Sequence, residues 1–243
     1  MRYFISLIGL YRGCGKGITS NRIVSGSEAD PHSIPWQAAL VRKGEHKPFC
    51  GGTIISRQFI MTAAHCMYLN GWDQLRDPNT FQIVAGEHNW WENGRVGSSR
   101  HEQRRDIENI VMHPSYDSRK YPSHDYDFAI IELIKPFKLK GHSKARAVCL
   151  PNPTKDINFQ PGTNFTVSGW GKEYHGARSQ PPVLHHVTVP AILDAECKKV
   201  YKTEFSDRMH CAGDLQSGGI DSCQGDSGGK FLDTTSQLCC NFL

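Results

Sequence analysis

Short segments of β-branched and aromatic residues, each closed off by turn-forming residues, recur along this chain and leave it little choice but a sheet fold. The first set runs Gln37 to Val41, Thr53 to Ser56, Phe59 to Ala63, Phe81 to Ala85, Ile107 to Val111 and Phe128 to Leu133. A second set stands around Phe165 to Ser168, Leu184 to Val189 and Met209 to Ala212. Such residues suit a pleated, half-buried surface, so the rhythm reads as all-β. A connection containing Pro and Lys, Lys135 to Pro153, separates the two sets, and two β lobes are the natural parse. Ala191 to Tyr201 departs from the rhythm: AILDAECKKVY has helix formers and apolar residues at helical spacing behind Pro190, which predicts one short helix. An open sheet edge leaves N–H and C=O groups unpaired, so an all-β chain is expected to close its sheets into barrels or sandwiches.

The 243 residues are enough for one large domain or two half-sized ones. A net charge of +4 is too mild to argue for nucleic acid or an anionic membrane as partner. The local run Arg95, Arg100, Arg104 and Arg105 reads as a solvated loop rather than a site for an acidic partner. Nine cysteines are spread along a Gly- and Pro-containing chain with no C-x-x-C pair, which favours disulfides over a structural zinc site and points to an oxidising compartment, hence secretion. Tyr3 to Tyr11, behind Arg2, is far shorter than the ~20 apolar residues of a membrane-spanning helix. It reads as a signal peptide of about residues 1–13, with a short apolar core and no Ala-x-Ala site after it.

The chemistry is carried by three strings. Gly225-Asp226-Ser227-Gly228-Gly229 places a serine between glycines, which lets the backbone turn tightly and a carbonyl approach both the hydroxyl and nearby N–H donors. A serine hydroxyl needs a neutral imidazole to take its proton, and the imidazole needs a carboxylate to fix its tautomer. His65 stands out among twelve histidines, in Thr62-Ala63-Ala64-His65-Cys66, at the end of an apolar strand and beside a cysteine that would anchor it. Asp127 heads Asp127-Phe128-Ala129-Ile130-Ile131-Glu132-Leu133, where an apolar strand carries it inward, and a buried acid needs a partner. Asp125 shares that strand face and is the competing candidate.

Together these strings resemble the trypsin/chymotrypsin family of serine proteases, in the chain order His, Asp, Ser. The resemblance covers Arg22 to about Phe231 and rests on TAAHC, DFAIIEL, SGWG at Ser168 to Gly171 and DSCQGDSGG at Asp221 to Gly229. It implies two Greek-key antiparallel β-barrels, lobes of about 23–140 and 141–243, and polypeptide substrates and protease inhibitors as partners. It also implies that Ser227 is the nucleophile, His65 the general base and acid, and Asp127 the residue that orients His65. The N–H groups of Gly225 and Ser227 would form the oxyanion hole, and Asp221 would lie at the floor of a specificity pocket that selects Lys or Arg. Arg22-Ile23-Val24 resembles the family's activation junction. Cleavage there would release Ile23 as a new amino terminus to pair with Asp226, leaving residues 14–22 as an activation peptide. The resemblance further implies bridges Cys14–Cys149, Cys50–Cys66 and Cys197–Cys211. Phe165 and Asp233 stand where relatives often carry another bridged pair. No cofactor is needed for the chemistry, although Glu87, Asn89 and Glu102 flank a loop that binds calcium in some relatives. Asn164-Phe165-Thr166 fits the glycosylation sequon.

The chain departs from the family after the nucleophile. Sixteen residues follow Ser227, Lys230 replaces a proline, and no Ser-Trp-Gly substrate-pairing string appears, so the second barrel is expected to be incomplete. The tail is expected to form a hairpin of Lys230 to Leu232 against Leu238 to Phe242. Cys223, Cys239 and Cys240 are an odd remainder, so at least one thiol is expected to be free or paired with another chain. The alternative expectation is a truncated, catalytically weak or inactive homologue that acts as a binding or decoy protein.

Overall fold

The computed structural model describes residues 14–15, 26–69, 74–92, 95–96, 101–120, 125–150, 160–172, 178–213, 230–232 and 238–241. Its strands in chain order are β1 (Ser27–Glu28), β2 (Gln37–Arg42), β3 (Pro48–Ile54), β4 (Phe59–Thr62), β5 (Phe81–Ala85), β6 (Trp91–Glu92), β7 (Arg95–Val96), β8 (Gln103–Arg105), β9 (Ile107–Met112) and β10 (Ala129–Leu133). They continue with β11 (Asn164–Gly169), β12 (His185–Ile192), β13 (Cys211–Ala212), β14 (Lys230–Leu232) and β15 (Leu238–Asn241). Among the described residues one α-helix, α1 (Asp194–Tyr201), lies between β12 and β13.

The first lobe is a seven-stranded sheet in the order β8-β5-β2-β3-β4-β10-β9. Its two edge strands, β8 and β9, are separated in sequence by Asp106 alone, so the sheet must curl until its ends approach one another. The second lobe is a six-stranded sheet, β1-β12-β11-β14-β15, with β13 added to β12. The fold is thus mostly β, a curled half-barrel and a second sheet, as the segment rhythm implied.

Side-chain alternation explains how the lobes are built and joined. In β2, Ala38 and Leu40 face the interior of the first lobe, while Ala39 and Val41 face a second cluster with Trp36, Ile55, Val148, Trp170 and Leu184. β5 divides in the same way, with Phe81, Ile83 and Ala85 inward and Val84 toward the second cluster. A strand covered on both faces can be apolar at successive positions, and QAALVR is buried at all but its last residue for this reason. Polar bonds cross the same interface: Ser168 Oγ donates to Gln37 Oε1 (2.8 Å), and Trp170 Nε1 donates to the His88 carbonyl (3.1 Å).

The structure corrects two boundaries. Of the segment expected as Thr53 to Ser56, only Thr53 and Ile54 lie in a strand, as the end of the longer β3, whose glycines read as turn signals. They serve close packing instead: a Cβ on Gly52 would meet Ile60 Cγ2 at 3.0 Å and the Met61 carbonyl at 3.3 Å. The helix expected from Ala191 begins at Asp194, because Ala191 and Ile192 pair with Ala212 and Cys211 of β13. Sheet pairing there overrides helix propensity. The tail hairpin is present, with Lys230 opposite Asn241 and Phe231 opposite Cys240, and Leu232 of β14 pairs with Thr166 of β11. Among the described residues no helix is long and apolar enough to cross a membrane.

Candidate active site

His65 and Asp127 come together from two neighbouring strands of the first lobe. β4 ends at Thr62, and the chain passes through the fully buried Ala63 and Ala64 into a single 3-10 turn, His65–Met67, whose first residue is the histidine. β10 pairs antiparallel with β4, with Ala129 opposite Thr62, so the residues just before Ala129 lie beside those just after Thr62. The pairing is double. The His65 backbone N–H donates to Asp127 Oδ1 (2.8 Å), and the ring Nδ1 donates to Oδ2 (2.6 Å). The Asp127 side chain is 0% exposed and that of His65 is 11% exposed. A buried carboxylate that holds the proton on Nδ1 leaves Nε2 as the basic nitrogen.

Two further features hold this arrangement. The Cys50–Cys66 disulfide, with Cα atoms 6.2 Å apart, ties the histidine turn to β3. A bridge closing a loop of this size contributes ~3 kcal/mol by restricting the unfolded chain. Its sulfurs are bonded to each other, so their closeness to His65 offers no thiolate to a metal. Tyr116 lies near the carboxylate, and burial, followed by the Asp127 charge, pushes its phenol above its ordinary range.

Asp125, the competing acid, has a different role. Arg208 Nε donates to its Oδ1 (3.0 Å), Arg208 Nη2 donates to its Oδ2, and Ser206 Oγ donates to Oδ1 (3.1 Å). These bonds, the Arg208 ones first, hold its carboxyl below the ordinary value. Between the two acids Tyr126 has φ 59, a strained conformation for a residue with a side chain. Its ring is sandwiched between the Arg208 guanidinium (4.6 Å) and the parallel His113 imidazole (4.5 Å). The sequence carried no signal for Arg208 here, because it lies 83 residues from Asp125 and the contact crosses between lobes.

Cys14 is bonded to Cys149 and Cys197 to Cys211. Cys239 and Cys240 are described only as backbone of β15. Ser227, Gly225, Asp226, Asp221 and Cys223, together with Arg22 and Ile23, lie outside the described residues. So does Asp233, while Phe165 is fully buried in the second-lobe core.

At the loop between β5 and β8, the buried Glu87 carboxyl is pushed up to about 7, first by burial and then by the Glu102 carboxylate. Glu102 accepts from Arg104 Nε through Oε1, and its Oε2 is buried without a hydrogen-bond donor. The two adjacent carboxyls share a hydrogen bond when Glu87 is protonated, and with both ionised they would suit a hard cation such as calcium. Glu87 and Glu102 are the carboxylates that would hold such an ion, and Asn89 Oδ1 accepts from the Trp91 N–H (3.0 Å).

Comparison with known proteins agrees with this geometry. The Trypsin family profile matches residues 23–238. The chain is 37% identical over 212 residues to coagulation factor IX of Cavia porcellus, covering 87% of this chain and 67% of that protein. It is 36% identical over 215 residues to ovochymase-2 of Mus musculus, covering 87% of this chain and 32% of that protein. Among solved structures it is similar to neuropsin, a serine protease expressed in the limbic system of mouse brain, with a TM-score of 0.72 and 29% identity over 89% of this chain and 84% of that one. With a histidine and a buried aspartate paired at the ends of adjacent strands, and with family-wide similarity over most of its length, this chain belongs to the trypsin family of serine proteases.

Proposed function

We propose that the chain is a secreted serine endopeptidase that hydrolyses peptide bonds after Lys or Arg and is made as a zymogen activated by cleavage between Arg22 and Ile23. The observation that carries this reading is the double hydrogen bond from His65 to a fully buried Asp127. In this mechanism the Ser227 hydroxyl gives its proton to His65 Nε2 as its oxygen bonds to the scissile carbonyl carbon. Asp127 stabilises the imidazolium that forms. The N–H groups of Gly225 and Ser227 hold the resulting oxyanion, and each such donor typically matters by ~10²- to 10³-fold in rate. His65 then protonates the leaving amine, and water, activated by the same imidazole, releases the acyl group from Ser227.

Asp221 would supply the carboxylate that selects a Lys or Arg side chain. After activation the Ile23 ammonium would pair with Asp226, since a buried unpaired charge costs several kcal/mol. Three bridged cysteine pairs support an extracellular setting, where thiols stay oxidised. The Cys14–Cys149 bridge would keep the activation peptide attached after cleavage. Polypeptides are the substrates and protease inhibitors the partners. Calcium at Glu87 and Glu102 would be structural, with no step passing through it.

The test is to cleave the chain at Arg22-Ile23 and treat it with a serine-directed fluorophosphonate. Ser227 is expected to be labelled, and Ser227→Ala to be unlabelled. Folded, cleaved protein that stays unlabelled would overturn the reading.

A further inference from the structure

The segment that leaves β10 and crosses the outside of the first lobe has an unusual charge pattern. From 138 to 146 every second residue is basic, namely Lys138, Lys140, His142, Lys144 and Arg146, and no acid occurs between Glu132 and Asp156. The structure explains the period. Phe137, Leu139, Ala145 and Ala147 are buried in the first-lobe core, so the residues between them must face outward. Gly141, with φ 68, turns the strap midway, and hydrogen bonds between Gln103 and the Lys138 backbone, at 2.9 and 3.0 Å, fix it in place. The result is a row of basic side chains at alternate positions along a strap whose backbone Gln103 holds at Lys138, with the Arg146 guanidinium donating to the Ser143 and Ala145 carbonyls.

At the turn the strap overhangs a cavity of about 520 Å³, lined by His101, His142, Lys144 and Arg146 and walled by Pro35 and Gly141. The His32 ring packs edge-on against that of His101, with centroids 5.2 Å apart, and its buried Nδ1 has no hydrogen-bond partner. Burial first, and then the nearby His101, Lys144 and His88, push the His32 imidazole down to about 4. Among the described residues no carboxylate pairs with Lys138, Lys140, His142, Lys144 or Arg146. None of these residues belongs to the His65–Asp127 site.

We infer that this strap binds a linear sulfated polysaccharide, with one sulfate group seated in the cavity and its neighbours laid along the row of lysines. The even charge spacing suits a polymer whose anions repeat. The strap presents no exposed aromatic ring, since Phe137 is buried, and so lacks the stacking surface that single-stranded nucleic acid uses. The choice of a sugar over nucleic acid also rests on the extracellular setting proposed above. Such a site would hold the protease on a sulfated matrix without touching its catalytic groups.

The test uses the full chain and a fully sulfated heparin octasaccharide, titrated by calorimetry at several salt concentrations. Saturable binding that weakens as salt rises is expected, because each neutralised sulfate releases counterions. The double variant Lys140→Glu/Lys144→Glu is expected to lose about tenfold or more in affinity, and Lys140→Arg/Lys144→Arg to retain it. Failure of the octasaccharide to bind, or equal binding by the charge-reversed variant, would sink the inference. So would equally tight binding by a single-stranded oligonucleotide of matched charge. Fluorophosphonate labelling of Ser227 is expected to be the same in all three proteins, so a failed peptidase reading and a failed polysaccharide site are told apart.

Discussion

The two lobes divide the work unequally. The first encloses a core of some twenty fully or nearly fully buried residues, from Ala38 to Ala147, and it alone supplies both His65 and Asp127. Among the described residues the second lobe's own core is Phe165, Val167, Val189 and Ala191. Its other contributions are made across the interface, through Trp170 and Leu184 in the shared apolar cluster, Ser168 on Gln37, and Arg208 on Asp125. The contrast shows where precision is needed. Proton transfer depends on the angle and tautomer of one imidazole, and both are set by adjacent strands of a single curled sheet. Among the described residues the second lobe touches this unit from outside, and in the proposed mechanism it brings Ser227 to it.

The largest expected effect falls on the dyad. Asp127→Asn should lower kcat on the order of 10⁴-fold, a size known from this family's triad, while leaving the fold intact. Ester hydrolysis by the activated protein measures it, and a loss of less than tenfold would show that the carboxylate does not set the tautomer. Next comes the second-lobe core: Phe165→Ala should cost about 3–5 kcal/mol in urea unfolding. Because the shared cluster is larger than the second lobe's own core, the loss should appear in a single transition. Two transitions, with the first lobe surviving, would mean that the lobes are thermodynamically separate. The same titration in millimolar calcium should move the midpoint upward through Glu87 and Glu102, and no shift relative to chelator would remove the ion from the proposal.

The smallest effect belongs to the inter-lobe clamp. Asp125 and Arg208 are 23% and 52% exposed at their side chains, so solvent screens the pair, and Arg208→Ala should lower stability only slightly at neutral pH. Arg208 lowers the Asp125 pKa in the folded state below its ordinary value of 3.8. The carboxylate's contribution is therefore fully present above about pH 4 and fades as pH falls through the folded pKa. Wild-type and variant stabilities should converge in acid. Curves that stay parallel down to pH 2 would show that Arg208 acts through its stacking on Tyr126 rather than through the ion pair.

Legibility in the sequence followed the range of the interaction. Phe81 to Ala85 was read to the residue, because its alternation and flanking turn signals are local. Pro48 to Gly52 of β3 escaped, since glycines that permit close strand packing look in one dimension like glycines that make turns. Ala191 and Ile192 were misassigned because pairing with β13, about twenty residues away, outweighs local helix propensity. His65 and Asp127 were legible through their neighbours. The sequence left Asp125 in competition, and the contact that separates the two acids comes from Arg208 in the other lobe.

By itself, then, the sequence determined the all-β class, the two-lobe parse and the identity of the catalytic candidates. Each of these is written in residue type and short-range period. Tertiary structure decided which acid meets the histidine, how both faces of β2 are buried, and that His142, Lys144 and Arg146 line a cavity with His101. Those outcomes depend on groups tens of residues apart being brought within a few ångströms, and hydrogen bonding and burial select among partners only at that range.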